Sequence, residues 1–201
     1  NQTMTEATSA SQIVGMPYGV TSQISTTQAP SSSFFGASVL KPGYTEILME
    51  YSEVLFLLSE ANGWSQTYYE QGVRASMEKW NIDSAKINAF VAALPPANKQ
   101  NVLTQKYVSL FMQPFEAWAE YRRTGYPNTL LLPGQSAALN VATASGQTTY
   151  TFTSLIADLT DLPTRIYYPT TVQTLNTDNY NAASTAIGGD KMNTKLIWDK
   201  N

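Results

Sequence analysis

The stretch EAWAEYRRTGYP, residues 116–127, decides the fold of this chain. Trp118 and Tyr121 lie three residues apart, with Phe115 just ahead of them, which is the spacing of one helix face. Pro114 suits the first helical turn, because the N–H that proline lacks would be unbonded there anyway. Gly125 and Pro127 end the pattern. The segment reads as a scaffold helix and not as an active site.

Upstream, the helical pattern continues. Residues 46–62 place Ile47, Leu48, Tyr51, Val54, Leu55, Leu58 and Ala61 along one stripe, with Thr45 as N-cap and Asn62-Gly63 as stop. Phe56 and Leu57 widen the apolar surface, so this helix is expected to be buried on more than one side. A second helix over 67–80 carries Tyr69, Val73, Met77 and Trp80. Two such helices joined by a short turn make an antiparallel hairpin of tetratricopeptide type, without meeting that repeat's consensus clearly. Asp83 or Ser84 caps a short helix to about Ala93. After the Pro95-Pro96 break, Asn98 caps another to about Met112, with Val102, Leu103, Tyr107, Leu110 and Phe111 inward.

The flanks differ. Residues 1–45 are rich in Ser, Thr, Gln, Gly and Pro and read as irregular loop with short strands. Residues 128–201 are loop-rich again, with a short strand over 148–153 and a proline-bounded extended segment over 163–175. The fold class is therefore mainly α: helix pairs, long loops and a few short strands.

Composition narrows the function. Only 13% of the 201 residues are charged, the net charge is −3, and no basic patch exists to displace counterions from a phosphate backbone. Nucleic acid is excluded as a partner on that ground. The chain has no Cys and no His, so thiol nucleophiles, disulfides, zinc–thiolate sites and imidazole bases are outside its means. No run reaches the roughly 18 apolar residues of a transmembrane helix.

Several fragments fall in one order: MPYG at 16–19, EYSEVLFLLSEANGW at 50–64, QKYVSLFMQPFEAWAEYRRTGYP at 105–127, LPTRIYYP at 162–169, TLNTDNYNAA at 174–183, then GGD and KLIWDK. This set closely resembles the C-terminal portion of the SusD/RagB family, over roughly residues 12–200. The departure is Ile197-Trp198, where the family often has two adjacent Trp. The resemblance implies a tetratricopeptide-like scaffold with ligand-binding loops. It implies an outward-facing outer-membrane lipoprotein that binds glycans, or in some members peptides, as the lid of a SusC-like TonB-dependent transporter. It implies further that residues 1–201 are the C-terminal part of one domain: a loop-rich ligand-face segment 1–45, a helical scaffold 46–127 and a loop-rich segment 128–201. The N-terminal half and its lipidated Cys would then be missing, and removing residues 1–100 of such a chain would leave an unstable product. No cofactor is implied.

The residues that bear chemistry are weighed on that basis. Glu116 and Glu120 stand at i and i+4, which would serve a carboxylate-only hydrolase only if both flanked one bond at about 5–10 Å. Pairing with Arg122, Arg123 or Arg165 is the expected arrangement, and the arginines are expected to tie the helix to LPTRIYYP or to carbonyls at nearby helix ends. The two adjacent arginines point about 100° apart. Glu53 and Glu60, within the most apolar helix, need buried partners. Trp118 and Trp80 belong to helix stripes. Tyr18, Phe34 and Phe35 lie in loops and Trp64 follows a helix end, so these four are the expected ligand contacts. Asp178, Asn179 and Asp190 lack the spacing of a calcium loop, and no metal is expected.

Overall fold

The computed structural model describes residues 13–157, 159–197 and 199. Trp198, and with it the comparison of Ile197-Trp198 with paired Trp, lies outside them. The chain divides into two units, residues 46–130 and the two flanks together. The fold is mainly α with one small sheet.

The helical unit begins with α3 (Tyr51–Ala61) and α4 (Gln66–Lys79), an antiparallel hairpin. Gly63 and Trp64 both take positive φ, 68° and 65°, to turn the chain between them. Fully buried Ser59 closes that turn, its hydroxyl donating to the Ser65 carbonyl at 2.9 Å while its own carbonyl accepts from Ser65 N at 3.0 Å. Phe56, Tyr69, Val73 and Val102 form the core, with Trp64, Met77, Val91, Leu94 and Ala97 against it. Gly72 lets α4 approach: a Cβ there would stand 2.9 Å from the Phe56 ring. The short α5 (Ser84–Ala92) is capped by Asp83, whose Oδ1 accepts from Ala85 N at 2.9 Å. Next, α6 (Lys99–Ser109) is capped by Asn98, accepting from Asn101 N at 2.9 Å. The EAWAEYRRTGYP helix is α7 (Pro114–Thr124), with Pro114 in its first turn and Gly125 left-handed at φ 72°.

One boundary departs from the sequence pattern. Helix α3 starts at Tyr51 and not near Thr45, and Leu48 and Met49 are largely exposed. Buried Glu50 marks the start because its carboxylate is drawn onto Lys79 and onto Gln113 Nε2 at 2.7 Å, leaving its backbone extended. The helix is also buried on one side only, since Tyr51, Leu57 and Leu58 are 70%, 38% and 37% exposed.

The flanking unit holds α1 (Ser22–Gln28), α2 (Ala37–Leu40), β1 (Ser136–Ala138), β2 (Thr149–Thr151), α8 (Thr170–Leu175) and α9 (Thr177–Ala186). Among the described residues, 13–45 form helices and loops where short strands were expected. Strand β2 falls inside the expected one and pairs antiparallel with β1, Tyr150 opposite Ala137. Helices α8 and α9 replace much of the expected extended and loop structure, because the Thr- and Asn-rich sequence hides a weak 3.6-residue pattern.

Candidate functional site

In the flanking unit, side chains take the place of sheet partners. The fully buried Gln28 amide donates to Val141 O at 2.8 Å and accepts from Val141 N at 3.1 Å, as a neighbouring strand would. The Tyr18 hydroxyl does the same at Leu131, donating to its carbonyl at 2.9 Å and accepting from its N–H at 2.6 Å. Asn140 Nδ2 donates to Gly15 O at 2.7 Å, and Tyr150 OH to Tyr18 O at 2.9 Å. Burial pushes the Tyr150 phenol above its usual range. Gly19, at φ 71°, must be glycine: a Cβ would sit 2.2 Å from the Phe152 ring. The segment 13–33 and the loop 131–152 are thereby held in one conformation.

The four expected ligand contacts separate. Tyr18 serves as the latch just described, its ring edge-on to Phe152 at 5.7 Å, yet it is still 46% exposed. Phe34 and Phe35 are 54% and 44% exposed and follow Ser33, whose N–H is fixed on Val14 O at 2.7 Å. Trp64 packs on the helical core instead of standing clear of it.

The carboxylates of the helical unit form an ion network. Arg123 grips Glu60 with two hydrogen bonds, 2.6 and 2.8 Å, and turns back to Glu120 at 2.7 and 3.2 Å. Those bonds, the Glu60 one foremost, hold the guanidinium above its ordinary value, and hydrogen bonding to Arg123 holds Glu60 below its own. Buried Lys106 reaches Glu120 at 3.0 Å and Glu53 at 3.9 Å. Burial raises Glu53, with Lys106 opposing and Glu116, Glu120 and Glu50 reinforcing. Glu116 itself is exposed. One carboxylate exposed and one neutralised by two cations do not make an acid–base pair astride a bond, so the hydrolase geometry fails. Arg122 diverges from Arg123 and lies over the Trp118 ring at 4.2 Å, a cation–π contact.

Of the three arginines offered as partners for the α7 carboxylates, Arg123 is the one paired with Glu120. Within the flanking unit, Arg165 pairs with Asp190 at 3.0 Å. The Arg165–Asp190 contact is close but misaligned for a hydrogen bond at Nη1, so its attraction is chiefly coulombic. Asp190 also accepts from Tyr168 N at 3.2 Å and Tyr180 OH at 3.3 Å. With Asp190 so engaged and Asn179 bonded to Asn176, the described residues offer no group of three acidic ligands for a metal.

Sequence reasoning missed Lys106, Glu50 and Gln113 as network members, and Gln28 and Asn140 as loop ties. Lys106 left a signal: it sits within the stripe of Val102, Leu103 and Ser109, where a charge demands a partner. Gln28 and Asn140 left none, because a backbone partner 113 or 125 residues away has no local trace.

Comparison with known proteins places these features. A SusD-like family described as "Starch-binding associating with outer membrane" matches residues 1–151. A solved SusD-like structure labelled Bacteroidetes AC2a is 31% identical, with TM-score 0.60, covering 77% of this chain and 30% of its own. A chitin-binding protein is 30% identical, with TM-score 0.56, covering 75% and 33%. A SusD homologue from Bacteroides thetaiotaomicron, 22% identical with TM-score 0.57 over 80% and 40%, shares the fold. The chain thus spans about a third of the length of these structures. Comparison with curated proteins gave no match.

Proposed function

This chain belongs to the SusD-like family, and from that premise we propose that it captures glycans at the cell surface for import. The match over residues 1–151 by a family described as starch-binding carries the reading. The loop face supports it: Tyr18, Phe34 and Phe35 expose flat rings on backbone held by hydrogen bonds, which lowers the ordering cost of binding. Rings of that kind stack on the apolar face of a pyranose. The role is binding and not catalysis: Glu120 is held by Lys106 and Arg123 while Glu116 stands exposed, which does not make an acid–base pair. The partner in this reading is a SusC-like TonB-dependent transporter, with the outer-membrane position secured by a lipid anchor in the longer protein. No helix among the described residues is long and apolar enough to cross a membrane.

Affinity electrophoresis of the chain in gels containing soluble starch or glycol chitin tests the proposal, with calorimetry against maltoheptaose, chitohexaose and a mixed oligopeptide pool. Retardation by either polysaccharide is expected. Binding confined to the peptides would make this a peptide-capturing member, and binding to nothing by a folded chain would end the reading.

A further inference from the structure

The LPTRIYYP segment contains an arrangement that the scaffold role of its arginine does not use. Arg165 and Tyr168, three residues apart, both hold the Asp190 carboxylate: Arg165 Nη1 at 3.0 Å from Oδ1, and Tyr168 N at 3.2 and 3.3 Å from the two oxygens. The Tyr168 ring lies under the Arg165 guanidinium at 4.6 Å and edge-on to Tyr180 at 6.1 Å. Upstream, Thr164 is fixed to the same loop, its N–H on Met192 O at 2.8 Å and its hydroxyl on Thr194 O at 3.1 Å. With both ends tied, the intervening dipeptide is forced outward. Ile166 is 70% and Tyr167 41% exposed, while Arg165 beside them is 7%. No described hydrogen bond occupies the Tyr167 hydroxyl.

An exposed apolar–aromatic pair on over-determined backbone is a preorganised contact, because little conformational freedom remains to be lost when a ligand arrives. A specific protein interface takes about 20–30 residues a side, whereas the anchor preorganises these two residues. They match one sugar ring: a phenol face to stack on, a methyl-bearing side chain beside it, and a free hydroxyl for a sugar oxygen. We propose that Tyr167, with Ile166, is a pyranose-stacking subsite, positioned by the Arg165–Asp190–Tyr168 anchor. This rests on the glycan-binding reading above and adds a site to it.

Calorimetry of the 201-residue chain with chitohexaose and maltoheptaose tests the site. Tyr167→Ala removes an exposed ring, so the thermal midpoint should hold while affinity for the bound glycan falls about tenfold, as expected for one exposed contact. Tyr167→Phe should keep most of that affinity. Asp190→Asn, which leaves the ring chemistry intact but loosens its anchor, should also weaken binding. Parent-like affinity in Tyr167→Ala overturns the subsite and leaves glycan binding standing. A parent chain that binds neither sugar overturns both.

Discussion

Tyr69 is fully buried in the helical core, and its hydroxyl has no hydrogen-bond partner among the described residues. An unsatisfied buried hydroxyl costs about 1–3 kcal/mol. Tyr69→Phe should therefore raise stability, by about 1 kcal/mol, although it deletes a polar group from a packed core. Urea unfolding of both chains checks this, and a clear loss would show that the hydroxyl has a partner. Gly72 makes the opposite case. Alanine there gains about 1 kcal/mol of helix propensity. The new Cβ, however, would meet the Phe56 ring at 2.9 Å, and Phe56 is only 1% exposed and cannot retreat. Overpacking at about 1–3 kcal/mol wins. Gly72→Ala should destabilise, and Phe56→Leu in the same chain should recover part of the loss, as a double-mutant cycle would reveal.

Ion pairs join helix α7 to α6 and α3. Lys106 stands on the buried face of α6 with Glu120 and Glu53 about it. Removing it strips buried Glu53 of its cation and leaves Glu120 with Arg123 alone, and breaking a buried pair typically costs about 3–5 kcal/mol. Lys106→Met should lower the urea midpoint more than Arg123→Gln, because Arg123 is 43% exposed and water replaces part of what is lost. The network also sets a pH profile. Glu60 is held low in the fold, so its contribution is present above its unfolded value and lost as pH falls through the lowered folded value. Glu53 is held high, so its contribution is present below its unfolded value and lost as pH rises through the raised folded value. Stability of the helical unit should then peak between the two. Glu60→Gln should flatten the acid limb and Glu53→Gln the alkaline limb in urea titrations across pH.

The two units are stabilised by different means. Residues 46–130 bury Phe56, Tyr69, Val73, Val102, Leu103 and Leu110. In the flanking unit the fully buried groups are mainly polar, Gln28 and Ser32 among them, with Arg165 nearly so. Hydrogen bonds contribute about 1 kcal/mol each net, less than a buried large apolar side chain. Amide exchange should accordingly be slowest in α3, α4 and α6 and faster through residues 131–152, read by mass spectrometry. Glycan added at 100 times its Kd should raise the stability of the domain that binds it by about 2.7 kcal/mol, which a calorimetric scan would register. The helical architecture was legible because apolar residues at 3.6-residue spacing, Asp83 and Asn98 as caps, and Gly125 as a stop are all local signals. The candidate site was legible only as residue types in loops. Tyr18, Phe34 and Phe35 could be named, but not that Tyr18 is tied at both ends of its hydroxyl.

What the sequence determined by itself was the family and the helix pairs, since motif order and periodicity are carried by near neighbours along the chain. Tertiary structure alone decided the partners. It drew Glu50 to Lys79 and Gln113, paired Arg165 with Asp190, and turned Trp64 onto the core. A charge buried in a protein must find an opposite charge or a donor, but which one it finds depends on distances in space that spacing along the chain does not record.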